Sequence, residues 1–418
     1  MTRLPAIAAC LVATLALAGC AQPRPFPTPT PTPTETVQLT GDGVLRIGAL
    51  LPLGGDVSGI GPGLVAAIEL AVRDANAAGG YLGVPVETLY REAGAVEEER
   101  LESGFADLVA RGVDVVIGPS SPALLQRLLP LADEAGVAVV ASVAPSPTVR
   151  SAVPAASLRR TVPGVDREAV AIVQAAAAEG ASTIALVAGS DTQGQAVADA
   201  ARAALESTAT TIVALERADA ATNTRRLSFS LAASEPDAVV IATTAMPTAQ
   251  VAELVTALIA RGVSGDQIWF GSAAVADYSA LLAPGTLDGA AGVRPGAAVD
   301  EQFAARLRQS DPRLQTERFA AETYDAVTLV VLAAVIAGDD GGASILRQFG
   351  EALRGDVVCG SVGECVDALD NGQTINYDGQ SGALGIDDAG DIAVAQLSLF
   401  RFDSDNRPQP AGEVELSG

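Results

Sequence analysis

The chain has 418 residues, of which 49% are hydrophobic, so it is long and apolar enough to bury the cores of two or three domains. The formal net charge of −24 disfavours nucleic acid as a partner, because phosphates are bound by basic patches. All 26 basic residues are arginine, and neither lysine nor histidine occurs. Histidine acid–base catalysis, serine–histidine triads and lysine Schiff bases are therefore excluded. We do not expect an enzyme, and a carboxylate- or thiolate-based enzyme is the alternative.

The N-terminus has the pattern of an export signal. Arg3 precedes a mostly apolar run over residues 4–17, which is too short to span a bilayer and is typical of a secretory signal. The run ends in Leu17-Ala18-Gly19-Cys20, which resembles the bacterial lipoprotein box. We expect residues 1–19 to be removed and Cys20 to carry the lipid that anchors the protein to the outer face of the cytoplasmic membrane. The alternative is an ordinary signal peptide in which Cys20 is incidental.

Residues 20–42 are predicted to be a linker. Proline and threonine alternate over residues 27–34, a pattern that favours an extended polyproline conformation over helix or sheet. Such a segment suits a stalk between the membrane and a folded domain.

From Val44 onwards, short apolar runs alternate with longer amphipathic segments. Residues 64–78 predict a helix, because Leu64, Ile68 and Ala71 fall on one face. Alternating strands and helices predict parallel sheets covered by helices, and their number favours two α/β lobes with a ligand cleft between them. The predicted strands are Leu45–Leu51, Val113–Ile117, Val137–Ala141, Thr183–Val187, Thr211–Leu215, Ala238–Ala242 and Ile268–Phe270.

Six short motifs follow one another along this part of the chain. They are Leu50-Leu51-Pro52-Leu53-Gly54-Gly55, Asp74-Ala75-Asn76-Ala77-Ala78-Gly79-Gly80, Val116-Ile117-Gly118-Pro119-Ser120-Ser121, Arg160-Thr161-Val162-Pro163, Thr323-Tyr324-Asp325-Ala326 and Tyr377-Asp378-Gly379-Gln380-Ser381-Gly382. In order and spacing they resemble the leucine/isoleucine/valine-type substrate-binding proteins of ABC importers, over residues 44–402. The resemblance implies the type I periplasmic-binding fold, with two Rossmann-like lobes whose parallel sheets are joined by three crossovers. It also implies lobe 1 at residues 43–158 and 294–378, and lobe 2 at residues 159–293 and 379–418.

Two strand ends in lobe 1 carry candidate ligand contacts. Ser121 precedes a predicted helix, where a hydroxyl and exposed amide groups suit a ligand carboxylate; plain helix capping is the alternative. The segment after residue 141 resembles the family segment that supplies a backbone carbonyl to a ligand ammonium and a hydroxyl to a carboxylate. That resemblance implies ligand contacts at Ala144 and Ser146, and we also expect a contact from the hydroxyl of Ser142 in the same turn.

Lobe 2 departs from the amino-acid-binding pattern of the family. Gln193 and Thr244 stand where the family has aromatic residues, and Ala273 stands where it has the acid that pairs with the ligand ammonium. A buried ammonium without a counter-charge costs on the order of several kcal/mol. Either the ligand is not a free α-amino acid, or Asp277 or another acid substitutes, or the cleft no longer binds a metabolite. We expect Gln193 and Thr244 to make uncharged contacts, and free leucine to bind weakly.

The expected function is therefore the binding of a small polar solute for an ABC permease in the membrane. The alternative is a ligand-sensing or scaffolding module of the cell envelope with the same fold. The glycines of residues 59–63 lack the spacing of a dinucleotide loop, and Asp339-Asp340 does not follow the calcium-loop pattern, so no cofactor or metal is expected.

Cys359 and Cys365 are the only cysteines downstream of Cys20. Exported proteins meet oxidising conditions, so we expect the two to form a disulfide. A metal pair is the alternative, but two thiols without histidine make a poor zinc site.

Overall fold

Two β-sheets with helices packed on them make up the part of the chain that the structure describes. The computed structural model describes residues 39–52, 59–96, 98–143, 157–314, 316–386 and 392–416. The alternation of strands and helices predicted from the apolar runs is present, and the α/β class is confirmed.

The first sheet is built from the N-terminal elements. These are β1 (Arg46–Leu51), α1 (Gly61–Ala77), β2 (Glu87–Glu92), α2 (Arg100–Ala110), β3 (Val115–Ile117), α3 (Pro122–Ala135), β4 (Ala138–Ala141) and β5 (Leu158–Arg160). The strand order is β2-β1-β3-β4-β5, and every pair is parallel. The inner strands β3 and β4 are buried along their whole length, as expected for a parallel sheet covered on both faces.

The second sheet begins with the next segment of the chain. Its elements are α4 (Val165–Ala178), β6 (Thr183–Gly189), α5 (Thr192–Leu205), β7 (Thr211–Ala218), α6 (Thr224–Ala233), β8 (Ala238–Ala242), α7 (Thr248–Ile259), a 3-10 turn (Gly265–Gln267), β9 (Ile268–Phe270) and β10 (Ala291–Pro295). Strands β7, β6, β8, β9 and β10 are neighbours in that order and pair in parallel. We call this region lobe 2.

The remaining chain returns to the first sheet and then extends the second. It comprises α8 (Glu301–Ser310), α9 (Ala320–Ala337), α10 (Gly342–Gln348), β11 (Val357–Cys359), α11 (Val362–Asp370), β12 (Ile375–Gly379), β13 (Gly382–Ile386), β14 (Ile392–Phe402) and β15 (Pro408–Leu416). Apolar side chains of α8 to α11 pack into the same hydrophobic cluster as β1 and α1, and we call the first sheet with these helices lobe 1. Strand β14 lies antiparallel beside β10 and β15, so the chain ends on lobe 2. The lobe boundaries stated above stay a prediction.

Helix α9 is the centre of lobe 1. Among the described residues it is the one helix long and apolar enough to cross a membrane, but 83% of it is buried inside the protein. A helix that is apolar all round is typical of a protein core as well as of a membrane span, and the packing identifies α9 as a core helix.

One carboxylate on α9 fixes the connection between β12 and β13. Asp325 is fully buried, and its oxygens accept hydrogen bonds from the Tyr377 hydroxyl at 2.7 Å and from the backbone N–H groups of Gln380 at 2.9 Å and Ser381 at 2.7 Å. The Thr-Tyr-Asp-Ala and Tyr-Asp-Gly-Gln-Ser motifs are thus two halves of one structural contact.

The sulfur atoms of Cys359 and Cys365 are 1.99 Å apart, as in a disulfide. The bond joins the end of β11 to α11, and both cysteines are buried in the lobe 1 core.

Candidate ligand-binding cleft

A cavity of about 370 Å³ lies between the two lobes, and we call it the cleft. Parallel strands present the loops at their carboxyl ends along one edge of a sheet, and ligands bind there in open α/β folds. Loops after β3, β4, β8 and β9 contribute to the lining. The described residues that line the cleft are Gly59, Ile60, Ser120, Pro122, Val143, Gln193, Thr244, Ser272, Ala273, Arg318 and Phe319.

The residues predicted from lobe 2 all lie in this lining. Gln193 belongs to the first turn of α5, and the Thr244 hydroxyl donates to the Gln193 side-chain oxygen at 3.4 Å. Ala273 is the third residue after β9, follows Ser272 directly, and is half-buried. Ser272 and Ala273 are the described lining residues from the loop after β9, and both are uncharged. This loop therefore contributes no acid to the described lining of the cleft.

The lobe 1 candidates have different environments. Ser121 precedes α3 in an extended conformation and makes no capping bond through its side chain, while its neighbours Ser120 and Pro122 line the cleft. Ser142 is 1% exposed, and its hydroxyl accepts a hydrogen bond from Thr323 at 2.8 Å in the interior of lobe 1. Ala144 and Ser146, like Cys20, lie outside the described residues.

Asp277 does not supply the missing acid. It is exposed, accepts from the backbone N–H of Ser279 at 2.8 Å, and lies 3.4 Å from the Arg407 guanidinium. Both partners hold the pKa of Asp277 below its usual value. The carboxylate therefore has its own partners on the surface of lobe 2, away from the cleft lining.

Arg318 is a cleft residue that the sequence did not indicate. Among the described lining residues it is the only charged one. Its guanidinium lies over the Phe319 ring, 4.8 Å from the centroid, and makes no hydrogen bond to the described residues. Burial lowers the pKa of Arg318, although guanidinium remains charged in proteins. A partly buried cation with unused donors therefore lines a cavity whose other described lining residues are uncharged.

The backbone beside Arg318 is held in an unusual conformation. Phe319 has φ +63°, in the left-handed region that bulky residues rarely adopt, and α9 begins immediately after it. Arg318 and Phe319 also border a second cavity of about 220 Å³, whose lining includes Arg294 and Glu322. Since burial raises the pKa of Glu322 to about 8, this acid is a weak counter-charge for Arg318 near neutral pH.

Glu168 is the second residue that the sequence reasoning missed. It lies in the first turn of α4, is only 4% exposed, and lines the same recess as Ser272. Its Oε1 atom is buried without a partner among the described residues. Burial raises the pKa of Glu168 to about 7, against the opposing effect of the nearby Ser272 and of the Arg318 charge. A signal was present in the sequence, because Glu168 occupies an apolar-face position between Val165 and Ile172.

The sequence of this chain matches one protein-family model. A family model described as "Periplasmic binding protein" matches residues 44–406. A search among curated proteins finds no match.

Solved structures share the fold at low sequence identity. The branched-chain amino acid transporter substrate-binding protein LivJ of Streptococcus pneumoniae, in complex with isoleucine, has a TM-score of 0.67 and 18% identity, covering 89% of this chain and 99% of its own. A solute-binding protein of an ABC transporter from Rhodopseudomonas palustris, in complex with p-hydroxybenzoic acid, has a TM-score of 0.69 and 16% identity, covering 90% and 98%. A branched-chain amino acid ABC transporter periplasmic ligand-binding protein from Burkholderia xenovorans has a TM-score of 0.71 and 15% identity, covering 89% and 96%.

The family model spans most of the chain, and the fold is shared with these structures. The chain belongs to the periplasmic binding protein family.

Proposed function

We propose that the protein is the extracytoplasmic solute-binding component of an ABC importer, and that it holds a small organic acid in the cleft with the carboxylate facing Arg318. The observation that carries the proposal is the Arg318 guanidinium, which has no hydrogen-bond partner among the described residues and borders a cavity with no other charged lining residue there. The planar fork of arginine suits a carboxylate, which it binds through two parallel hydrogen bonds.

The volume of the cleft and the ligands of the structural neighbours both favour a small ligand. A cavity of about 370 Å³ has the volume of a site for a small molecule. The structural neighbours from Streptococcus pneumoniae and Rhodopseudomonas palustris contain isoleucine and p-hydroxybenzoic acid, which differ in shape but both carry a carboxylate. A carboxylate is thus the shared chemical group from which a search for the ligand begins.

The remaining predicted contacts complete the proposed site. Gln193 and Thr244 line the cleft beside Ala273 and offer an amide and a hydroxyl to the ligand. From lobe 1 we propose contacts by the Ser121 segment at the start of α3. We also propose ligand contacts by Ser142, Ala144 and Ser146, where Ser142 first has to exchange its interior bond with Thr323.

The proposed location follows from the N-terminal sequence. We propose that Cys20 carries a diacylglycerol and that residues 20–42 connect it to the folded lobes at the outer face of the cytoplasmic membrane. The disulfide between Cys359 and Cys365 supports an oxidising compartment. The partner is an ABC permease in the same membrane.

A binding screen with a matched pair of variants tests the carboxylate site. Thermal shift with amino acids, hydroxy acids and aromatic acids identifies binders, and calorimetry measures their dissociation constants. Arg318→Gln should weaken a carboxylate ligand about tenfold to a hundredfold, because a hydrogen bond to a charged group contributes about 1.5–3 kcal/mol. Arg313→Gln is the control, since its side chain is 92% exposed and, among the described residues, forms an ion pair only with Asp311 at 3.6 Å. If a neutral amide analogue binds as tightly as the acid, the proposal is wrong.

A further inference from the structure

A small recess adjoins the cleft on the lobe 2 side. It has a volume of about 20 Å³ and shares four lining residues with the cleft, namely Gln193, Thr244, Ser272 and Ala273. This volume holds about one water-sized group, such as an ammonium, a hydroxyl or a single water. The recess is therefore too small for a separate ligand and has the size of a subsite for one polar group.

Glu168 is a buried acid in the wall of this recess. Its carboxylate lies near Ser272, and Oε1 has no partner among the described residues. Buried polar atoms in native proteins are almost always hydrogen-bonded, and an unsatisfied one is destabilising. Glu168 therefore lines a recess off the cleft and has a carboxylate oxygen that lacks a donor.

Glu168 and Arg318 place an acid and a cation on opposite lobes of the site. Glu168 belongs to α4 of lobe 2, and Arg318 precedes α9 of lobe 1. Both residues are among those that the structure describes. Their charges interact electrostatically, but the two side chains do not form an ion pair. An acceptor on one lobe and a cation on the other suit a ligand with a donor at one end and a carboxylate at the other.

We infer that Glu168 takes the place of the acid absent at Ala273, and that it accepts a hydrogen bond from an ammonium or hydroxyl group of the ligand. The inference rests on the proposed function, since it assumes that the ligand carboxylate faces Arg318. The ligand class is then an acid that also carries a donor, such as an α-amino acid, a hydroxy acid or a hydroxylated aromatic acid. This revises the expectation, drawn from Ala273 alone, that the cleft disfavours an ammonium.

Such a ligand would also contribute to closure. Because its donor bonds to lobe 2 and its carboxylate to lobe 1, it satisfies both charged groups only when the lobes are close together. An acid without a donor leaves Oε1 of Glu168 unsatisfied, and such a mismatch is a strong means of discrimination between similar ligands.

The test compares ligand pairs that differ only in the donor group. Calorimetry with the mature chain measures each amino acid that binds against its desamino acid and its 2-hydroxy acid, and 4-hydroxybenzoate against benzoate. We expect the ligand with the donor to bind at least tenfold more tightly to the wild type. Glu168→Gln should bring the two affinities within about twofold of each other, because its amide places a donor or a neutral acceptor in the recess.

A control variant and the wild type alone show whether a failure concerns Glu168 or the whole proposed site. Glu206→Gln, an exposed change at the end of α5, should leave the affinity ratio unchanged. Equal binding of the paired ligands to the wild type overturns the inference while the carboxylate site stands, and this comparison needs no folded variant. A ratio that survives in Glu168→Gln overturns it as well. If none of these acids binds the wild type, the proposed function and the inference both fail.

Discussion

The contact between Asp325 and the β12–β13 connection predicts a large loss of stability in Asp325→Asn. The carboxylate is fully buried and accepts four hydrogen bonds. Oδ1 accepts from the Tyr377 hydroxyl at 2.7 Å and the Gln380 N–H at 2.9 Å. Oδ2 accepts from the Ser381 N–H at 2.7 Å and its hydroxyl at 2.5 Å.

The size of the loss follows from this geometry. Asparagine keeps the shape of aspartate but replaces one oxygen by an NH₂ group, which donates and does not accept. Two buried donors then lose their acceptor, at about 1–3 kcal/mol each. Removal of a buried charge, whose burial raises the pKa of Asp325, offsets part of this cost. We expect the free energy of unfolding to fall by about 3 kcal/mol.

Chemical denaturation followed by circular dichroism measures this change. Asp378→Asn is the matched control, because Asp378 lies near the end of β12, beside the connection, but is exposed, and the change should alter stability by less than about 0.5 kcal/mol. If Asp325→Asn unfolds within about 1 kcal/mol of the wild type, the buried carboxylate does not hold the connection, and this interpretation of the two motifs is wrong.

Three further predictions concern the cysteines and the buried acid Glu168. Both Cys359 and Cys365 should resist alkylation in protein purified from the envelope without reductant, and two free thiols would contradict the disulfide. Replacing both by serine should lower the free energy of unfolding by about 2 kcal/mol, as expected for a loop this short. Cys20→Ala should move the protein from the membrane fraction to the medium or the soluble envelope fraction, and equal retention would place the anchor elsewhere. Glu168 has a pKa raised from 4.5 to about 7, so the folded state binds more protons than the unfolded state between these values and loses stability as pH rises from 5 to 8. The unfolding midpoint of Glu168→Gln should therefore depend less on pH than that of the wild type, and an equal dependence would refute the assignment.

The sequence was a good guide to the buried strands. Strands such as Ala238–Ala242 and Ile268–Phe270 lie where the apolar runs predict them, because a strand covered on both faces needs apolar residues throughout. Strand β2, over Glu87–Glu92, was missed because it is half-buried at the edge of its sheet and carries charged residues. Its pairing with β1 is a long-range contact that a local pattern does not record.

The cleft was predictable only in part. Gln193, Thr244 and Ala273 were found because each follows a recognisable strand, and the carboxyl ends of those strands meet at one edge. Arg318 reaches the cleft only because the chain returns to lobe 1 before α9 and turns sharply at Phe319. The position of Arg318 in the cleft depends on tertiary structure, and no local sequence pattern predicts it.

Glu168 shows a different limit. An acid on the apolar face of a helix is visible in the sequence, but the pattern does not say which group it faces. The structure places it beside Ser272, at the loop where the resemblance implied an acid and the sequence has Ala273. A charge that the family carries on one loop can thus be supplied by a neighbouring helix.

A structure of the complex with the tightest-binding acid tests the central claim most directly. We expect a ligand between the lobes, with its carboxylate oxygens within hydrogen-bond distance of the Arg318 guanidinium and its ammonium or hydroxyl group bonded to Oε1 of Glu168. A ligand bound outside the cleft, or inside it with the carboxylate directed away from Arg318, would contradict the proposed function.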